Sequence, residues 1–137
     1  MKVIHSIIKS WTGILILFTI PFTLSSADSR KETITLEVLA TAYNSVPEQT
    51  DDTPFKAAWG DILNPQVKSI AVSRDLLNMG LTKNSKVEIE GLPGKYIVLD
   101  KMNSRWEKKI DIYMGNDIQE ALEWGVRKVK IKWYPEN

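Results

Sequence analysis

From residue 33 onward, hydrophobic residues recur at every second position in short runs, the periodicity of half-buried β-strands. In the first run Ile34, Leu36, Val38, Ala40 and Ala42 share one face, with Thr33, Thr35, Glu37 and Thr41 on the other, so a strand is predicted to end near Tyr43. Residues 69–73 (SIAVS) read as a short buried strand. Residues 86–90 (KVEIE) and 95–100 (KYIVLD) read as two more, joined by a GLPG turn. Residues 110–114 (IDIYM) give the next strand, and 126–133 (VRKVKIKW) alternate with basic residues outward. Two short helical segments interrupt this pattern. Residues 75–79 form about one turn closed by Gly80. A second helix starts at Asn116 as N-cap with Gln119 as capping-box partner, carries Ile118, Ala121 and Leu122 on one face, and stops at Gly125.

The pattern therefore predicts a mainly β domain of five or six short strands with little helix. Domains of this kind avoid exposed sheet edges by closing into a small barrel. Two stretches lie outside it: the loop at 44–55 (NSVPEQTDDTPF), with two prolines and no periodicity, and the basic loop at 101–109 (KMNSRWEKK).

The first 27 residues have a different character. Lys2 and Lys9 precede an uncharged apolar run at 11–20, and Ser25, Ser26 and Ala27 are small enough for a cleavage site. That order is the signature of a secretory signal, and the run is short for a membrane span. An uncleaved anchor is the alternative and the one route to a membrane. Export to the periplasm or the extracellular cell wall is expected. Removal of the 27 residues leaves 110, with 16 basic and 17 acidic side chains. A near-neutral domain gives no electrostatic case for nucleic acid.

The single histidine, His5, falls within the signal, and the sequence has no cysteine. Ser–His or Cys–His nucleophiles, ordinary zinc sites and stabilising disulfides are thereby excluded from the exported domain. No cofactor or metal is expected, and enzymatic chemistry would fall to carboxylates. Asp100 and Asp111 are each attached to a short strand, 11 positions apart. Were the loop between them to fold back, both would stand at one mouth of the barrel. Two close carboxylates split their pKa values, leaving one protonated to donate to a leaving oxygen. Strand-end aspartates also commonly cap turns, so the pattern by itself leaves both readings open.

The words around these aspartates occur in one order: TAY at 41–43, EQTDDTP at 48–54, IAVSRDL at 70–76, GKYIVLD at 94–100, IDIY at 110–113 and ALEWGVR at 121–127. Together they resemble the three-aspartate (3D) domain family. That family is itself similar to the double-psi β-barrel of membrane-bound lytic transglycosylase A and, more distantly, to rare lipoprotein A-like and expansin-like barrels. The resemblance spans residues 39–133. It implies a six-stranded double-psi β-barrel with one or two short helices, acting as a monomer on peptidoglycan or a related glycan. Asp111 maps to the general acid/base that cleaves the MurNAc–GlcNAc β-1,4 bond, and Asp100 to its supporting carboxylate. The attack of the sugar's own 6-hydroxyl gives a 1,6-anhydro product.

Departures from the family pattern keep two alternatives in view: a barrel that binds cell-wall glycan without cutting it, and an inverting β-glycan hydrolase. Ser73 stands where the family's first aspartate is expected, with Asp75 two positions on. The basic loop replaces a glycine-rich stretch. The expected substrate contacts are Tyr43, Asp52, Thr53, Asp75 and Arg105, with Asp51 beside Asp52. Each has a plainer reading as a turn, packing or solvated residue. Trp59 and Trp106, on irregular segments, suit a sugar face; Trp124 and Trp133 are expected to pack. Lys101, Arg105, Lys108 and Lys109 could meet carboxylates of the glycan or form a solvated basic surface.

Overall fold

The computed structural model describes residues 31–45 and 56–137. The expected signal segment, Asp51, Asp52 and Thr53 lie outside the described residues. Within them the order is β1 (Ile34–Tyr43), β2 (Ser69–Val72), α1 (Arg74–Asn78), β3 (Lys86–Ile89), β4 (Lys95–Lys101), β5 (Lys109–Tyr113), α2 (Ile118–Trp124) and β6 (Arg127–Trp133). The strands close into a barrel in the order β1-β5-β2-β4-β3-β6. This is the mainly β, six-stranded double-psi architecture with two short helices.

The β1–β5 and β2–β4 contacts are parallel and the other four antiparallel. Exchanging β1 with β4, β2 with β5 and β3 with β6 reproduces the same pairings. Each half thus has the order ββαβ, and α1 and α2 hold equivalent places. The sequence carries no matching repeat, because the halves share only a topology. β1 is long because it serves two partners, β6 through residues 34–40 and β5 through residues 39–43.

Alternation determines what enters the barrel. Val38, Ala40, Ile70, Val72, Val87, Ile89, Val98, Ile110, Ile112, Val129, Ile131 and Trp133 are buried together in one core. Each large aliphatic side chain removed from water contributes about 1.5–3 kcal/mol. The strand expectations hold to within a residue or two at each end. Where Ile70 pairs with Val98, Ala71 pairs with Asp100, so Leu99 is an extra residue in β4. That β-bulge interrupts the alternation at the point where Asp100 follows.

Helix α2 departs from the expected detail. Asp117, rather than Asn116, is its N-cap, accepting from the Glu120 amide at 2.8 Å. Gln119 closes no capping box; its Nε2 donates to Glu123 Oε1 at 2.9 Å. Ile118 and Leu122 remain 40% and 67% exposed, and Trp124 is the residue that packs inward. In so short a helix one indole outweighs two aliphatic chains in deciding which side faces the core. Gly125 ends it at φ 63°, as expected of a helix-stopping glycine.

Candidate functional site

Inward residues of β5, Ile110 and Ile112, flank Asp111, so its side chain lies on the outer face of the barrel wall and not at a mouth. Its register partners are Thr41 on β1 and Ala71 on β2, and Ala71 in turn pairs with Asp100 on β4. The four residues Thr41, Asp111, Ala71 and Asp100 form one row across four strands. The bulge at Leu99 brings Asp100 into it, since strict alternation from Val98 would have sent Asp100 inward. With strands about 4.8 Å apart, the two aspartate Cα atoms stand roughly 10 Å apart across the Ala71 methyl. The expected convergence of Asp100 and Asp111 is thus real, but as a spaced pair and not a touching dyad.

Each carboxylate has its own support. Thr41 Oγ1 donates to Asp111 Oδ1 at 2.9 Å. Asp100 Oδ1 accepts from the amides of Ala58, at 2.7 Å, and Lys101, at 2.9 Å. The Ala58 amide is delivered by a tight turn over residues 56–62, closed by a bridge between Lys56 and Ile62 and by Ala57 N to Asp61 O at 2.8 Å. Ala57 and Leu63 fasten this turn to Tyr113, Tyr43 and Leu99 in a small second core outside the barrel. Asp61 pairs with Lys83 at 2.7 Å, tying the turn to the far side.

Burial raises both carboxyls above the ordinary value of 3.8. For Asp111 the Thr41 hydrogen bond and Lys109 oppose that rise, and Asp100 adds a smaller upward push. For Asp100 the two backbone amides oppose it, and Asp61 adds to it. The expected splitting by mutual repulsion is therefore secondary, as the separation requires; desolvation dominates.

Tyr43 borders the row. Its ring packs on Tyr113 at 5.3 Å between centroids, and its buried hydroxyl has no hydrogen-bond partner among the described residues. Burial, then Asp100 and Asp111, push this phenol strongly upward, so it remains a neutral donor. Asp75 does not join the row. Its Oδ2 accepts from the Lys108 amide at 2.9 Å and holds the basic loop in place. Ser73, fully buried, accepts from the Lys109 amide through Oγ at 3.0 Å. Arg105 is exposed on that loop, with its guanidinium 5.1 Å from the Trp106 ring centroid. Trp59 is half-buried against the main core under Lys101.

Sequence reasoning did not single out Thr41, Asp61 or the Ala58 amide. Thr41 was detectable in principle, being two residues before Tyr43 on the same strand face. The amide was not, because only the folded turn brings it to Asp100. A cleft of about 470 Å³, lined by Glu88, Ile89, Leu92 and Lys130, lies elsewhere on the barrel. Among the described residues no group of three or more carboxylates could hold a metal ion.

By sequence, no family model matches the chain and no curated protein is similar to it. By structure, it is similar to Streptomyces papain inhibitor, at 18% identity and a TM-score of 0.51, over 75% of this chain and 96% of that one. It is also similar to an apo expansin of Clavibacter michiganensis, at 15% identity and a TM-score of 0.48, over 72% of this chain and 49% of that one. A mutant of that expansin in complex with cellohexaose gives 12% identity and a TM-score of 0.46, over 76% and 51%. The chain thus corresponds to about half the length of the expansin structures. At these identities the likeness concerns the fold alone.

Proposed function

We propose that the protein is an exported barrel of the 3D-domain kind that binds peptidoglycan or a related β-1,4-linked glycan along the row Thr41, Asp111, Ala71 and Asp100. The observation that carries this reading is the register: four partners on four neighbouring strands make an extended line, two carboxylates and a hydroxyl among them, on the outer wall of the barrel. A linear sugar chain suits such a line, because its hydroxyls donate to fixed carboxylates while its apolar ring faces rest on aromatic rings. Ala71 puts only a methyl group in the middle of the line, and the neutral Tyr43 phenol borders it. The order of the sequence words supports the glycan class, and the strand register supports the placement. Binding is placed ahead of cleavage because the two carboxylates are separately anchored and spaced.

Cleavage of the MurNAc–GlcNAc bond is the second reading, and Asp111 favours it. Burial raises the Asp111 carboxyl, the direction that favours an acid able to protonate a leaving oxygen. Asp111 would then take a proton back from the sugar's 6-hydroxyl as that oxygen attacks. Inverting hydrolysis, with a water between Asp100 and Asp111, needs the wider carboxylate spacing of about 6.5–9.5 Å.

The test is co-sedimentation of the purified protein with isolated cell wall, with released products read by mass spectrometry. Wild type is expected to sediment with the wall, and Asp100→Ala/Asp111→Ala to bind about a hundredfold more weakly, the scale of two lost charge-assisted contacts. Failure of wild type to sediment removes the proposal. Anhydro-muropeptides that vanish with Asp111→Asn would promote the second reading over the first, and reducing-end products without anhydro ends would indicate hydrolysis.

A further inference from the structure

Lys109 stands two residues before Asp111 on the same outer face of β5, yet only 9% of it is exposed. Ser73 fixes its backbone from both sides, donating to Lys109 O at 2.9 Å and accepting from Lys109 N at 3.0 Å. Its ammonium sits 3.6 Å from the centroid of the Trp106 ring, and the Arg105 guanidinium shares that indole. Neither cation forms an ion pair among the described residues. Asp75 on α1 gives Oδ2 to the Lys108 amide while its Oδ1 is buried without a hydrogen-bond partner among the described residues, and Glu107 on the loop is exposed. Asp111 feels Lys109 as a charge that lowers its pKa.

An ammonium has three donors, and an aromatic face occupies only one direction. Burying a lysine without a direct ion pair opposes its hydration, and the ring and the more distant Asp111 charge return only part of that loss. A cation on a largely buried stem, pre-positioned on an indole beside the row, has the chemistry of an anion subsite.

We propose that Lys109 and Arg105, seated on Trp106, hold a carboxylate carried by the glycan bound on the row. This rests on the glycan reading above and adds to it that the preferred polymer is acidic. The carboxylate comes from the lactyl ether of muramic acid or from a uronic acid, and the two share the chemistry that the site recognises.

Calorimetry of the intact protein distinguishes the sources. The probes are peptide-free GlcNAc–MurNAc strands, chito-oligosaccharide of equal length, an oligoglucuronate, and the muramic strands with their lactyl carboxylates methyl-esterified. Wild type is expected to bind the muramic strands about tenfold tighter than chito-oligosaccharide, a margin that esterification removes and added salt reduces. Lys109→Met, which keeps the buried stem, is expected to bring the affinity for the acidic strands down to that for the neutral ones. Arg105→Ala narrows the margin in part. Tight binding of oligoglucuronate assigns recognition to the carboxylate wherever the ring carries it, and weak binding assigns it to the lactyl group; either supports the subsite. Equal affinity of wild type for acidic, esterified and neutral strands overturns it while leaving glycan binding intact. A Lys109→Met variant that weakens every probe alike also overturns it. Absence of binding to any probe removes this inference together with the reading beneath it.

Discussion

Asp111 occupies a place that opposes its own ionisation, and a residue kept against stability belongs to function more than to folding. Its carboxyl is raised above 3.8, so the folded state holds the proton more tightly than the unfolded chain does. The corresponding stability is fully present below 3.8 and is lost as pH rises through the folded value. Asp111→Asn is therefore expected to raise Tm at pH 7 by about 4 °C. The gain should shrink toward zero once the pH drops below the ordinary carboxylate value. Thermal melts of both proteins across that range check this, and a gain independent of pH would refute the desolvation account. At this scale the sequence supplied the two aspartates and the surrounding words. It could not supply Thr41 as the partner of Asp111, because that hydrogen bond joins residues 70 positions apart. Nor could it separate Asp75, which fastens a loop, from the carboxylates that share the row.

Alternation and short buried runs are local properties, and the six strands were legible because each carries one or the other. Two element-level features were not. The bulge at Leu99 leaves no mark in KYIVLD, since an extra apolar residue in a strand reads simply as a buried run. The orientation of α2 followed the packing of Trp124, where the spacing of smaller apolar residues suggested another face. Gly80, after α1, shows how a turn and a distant segment are coupled. It adopts φ 78°, and a Cβ there would meet Pro135 Cβ at 2.8 Å and the Glu136 backbone at 2.9 Å. Its carbonyl also accepts from the Glu136 amide at 3.0 Å. Gly80→Ala is expected to cost about 2–3 kcal/mol, combining left-handed strain with that clash. In a chain ending at Tyr134 the clash is absent and only about 1–2 kcal/mol of strain should remain. Urea unfolding of the four proteins gives the comparison, and equal costs in the two backgrounds would place the whole effect in the turn.

Closure governs the whole molecule. With no disulfide available, stability rests mainly on the barrel core, and β6 seals it by pairing with both β1 and β3. Trp133 at its end is 1% exposed and donates from Nε1 to Met79 O at 3.3 Å. Trp133→Ala is expected to cost about 3–5 kcal/mol, a large share of what a domain of this size possesses. Urea midpoints measure it, and a loss below about 1 kcal/mol would mean that the barrel does not depend on this seal. From the chain alone came the strands, the two glycine-ended helical segments and the β class. These follow from residue type and from periodicities of two to four residues, which act locally. The tertiary structure decided which strands became neighbours, that the carboxylates stand on the outer wall, that a bulge aligns Asp100 with Asp111, and that Lys109 lies on Trp106. The strand relations depend on pairings between segments tens of residues apart, whose register is set by the closing of the barrel as a whole.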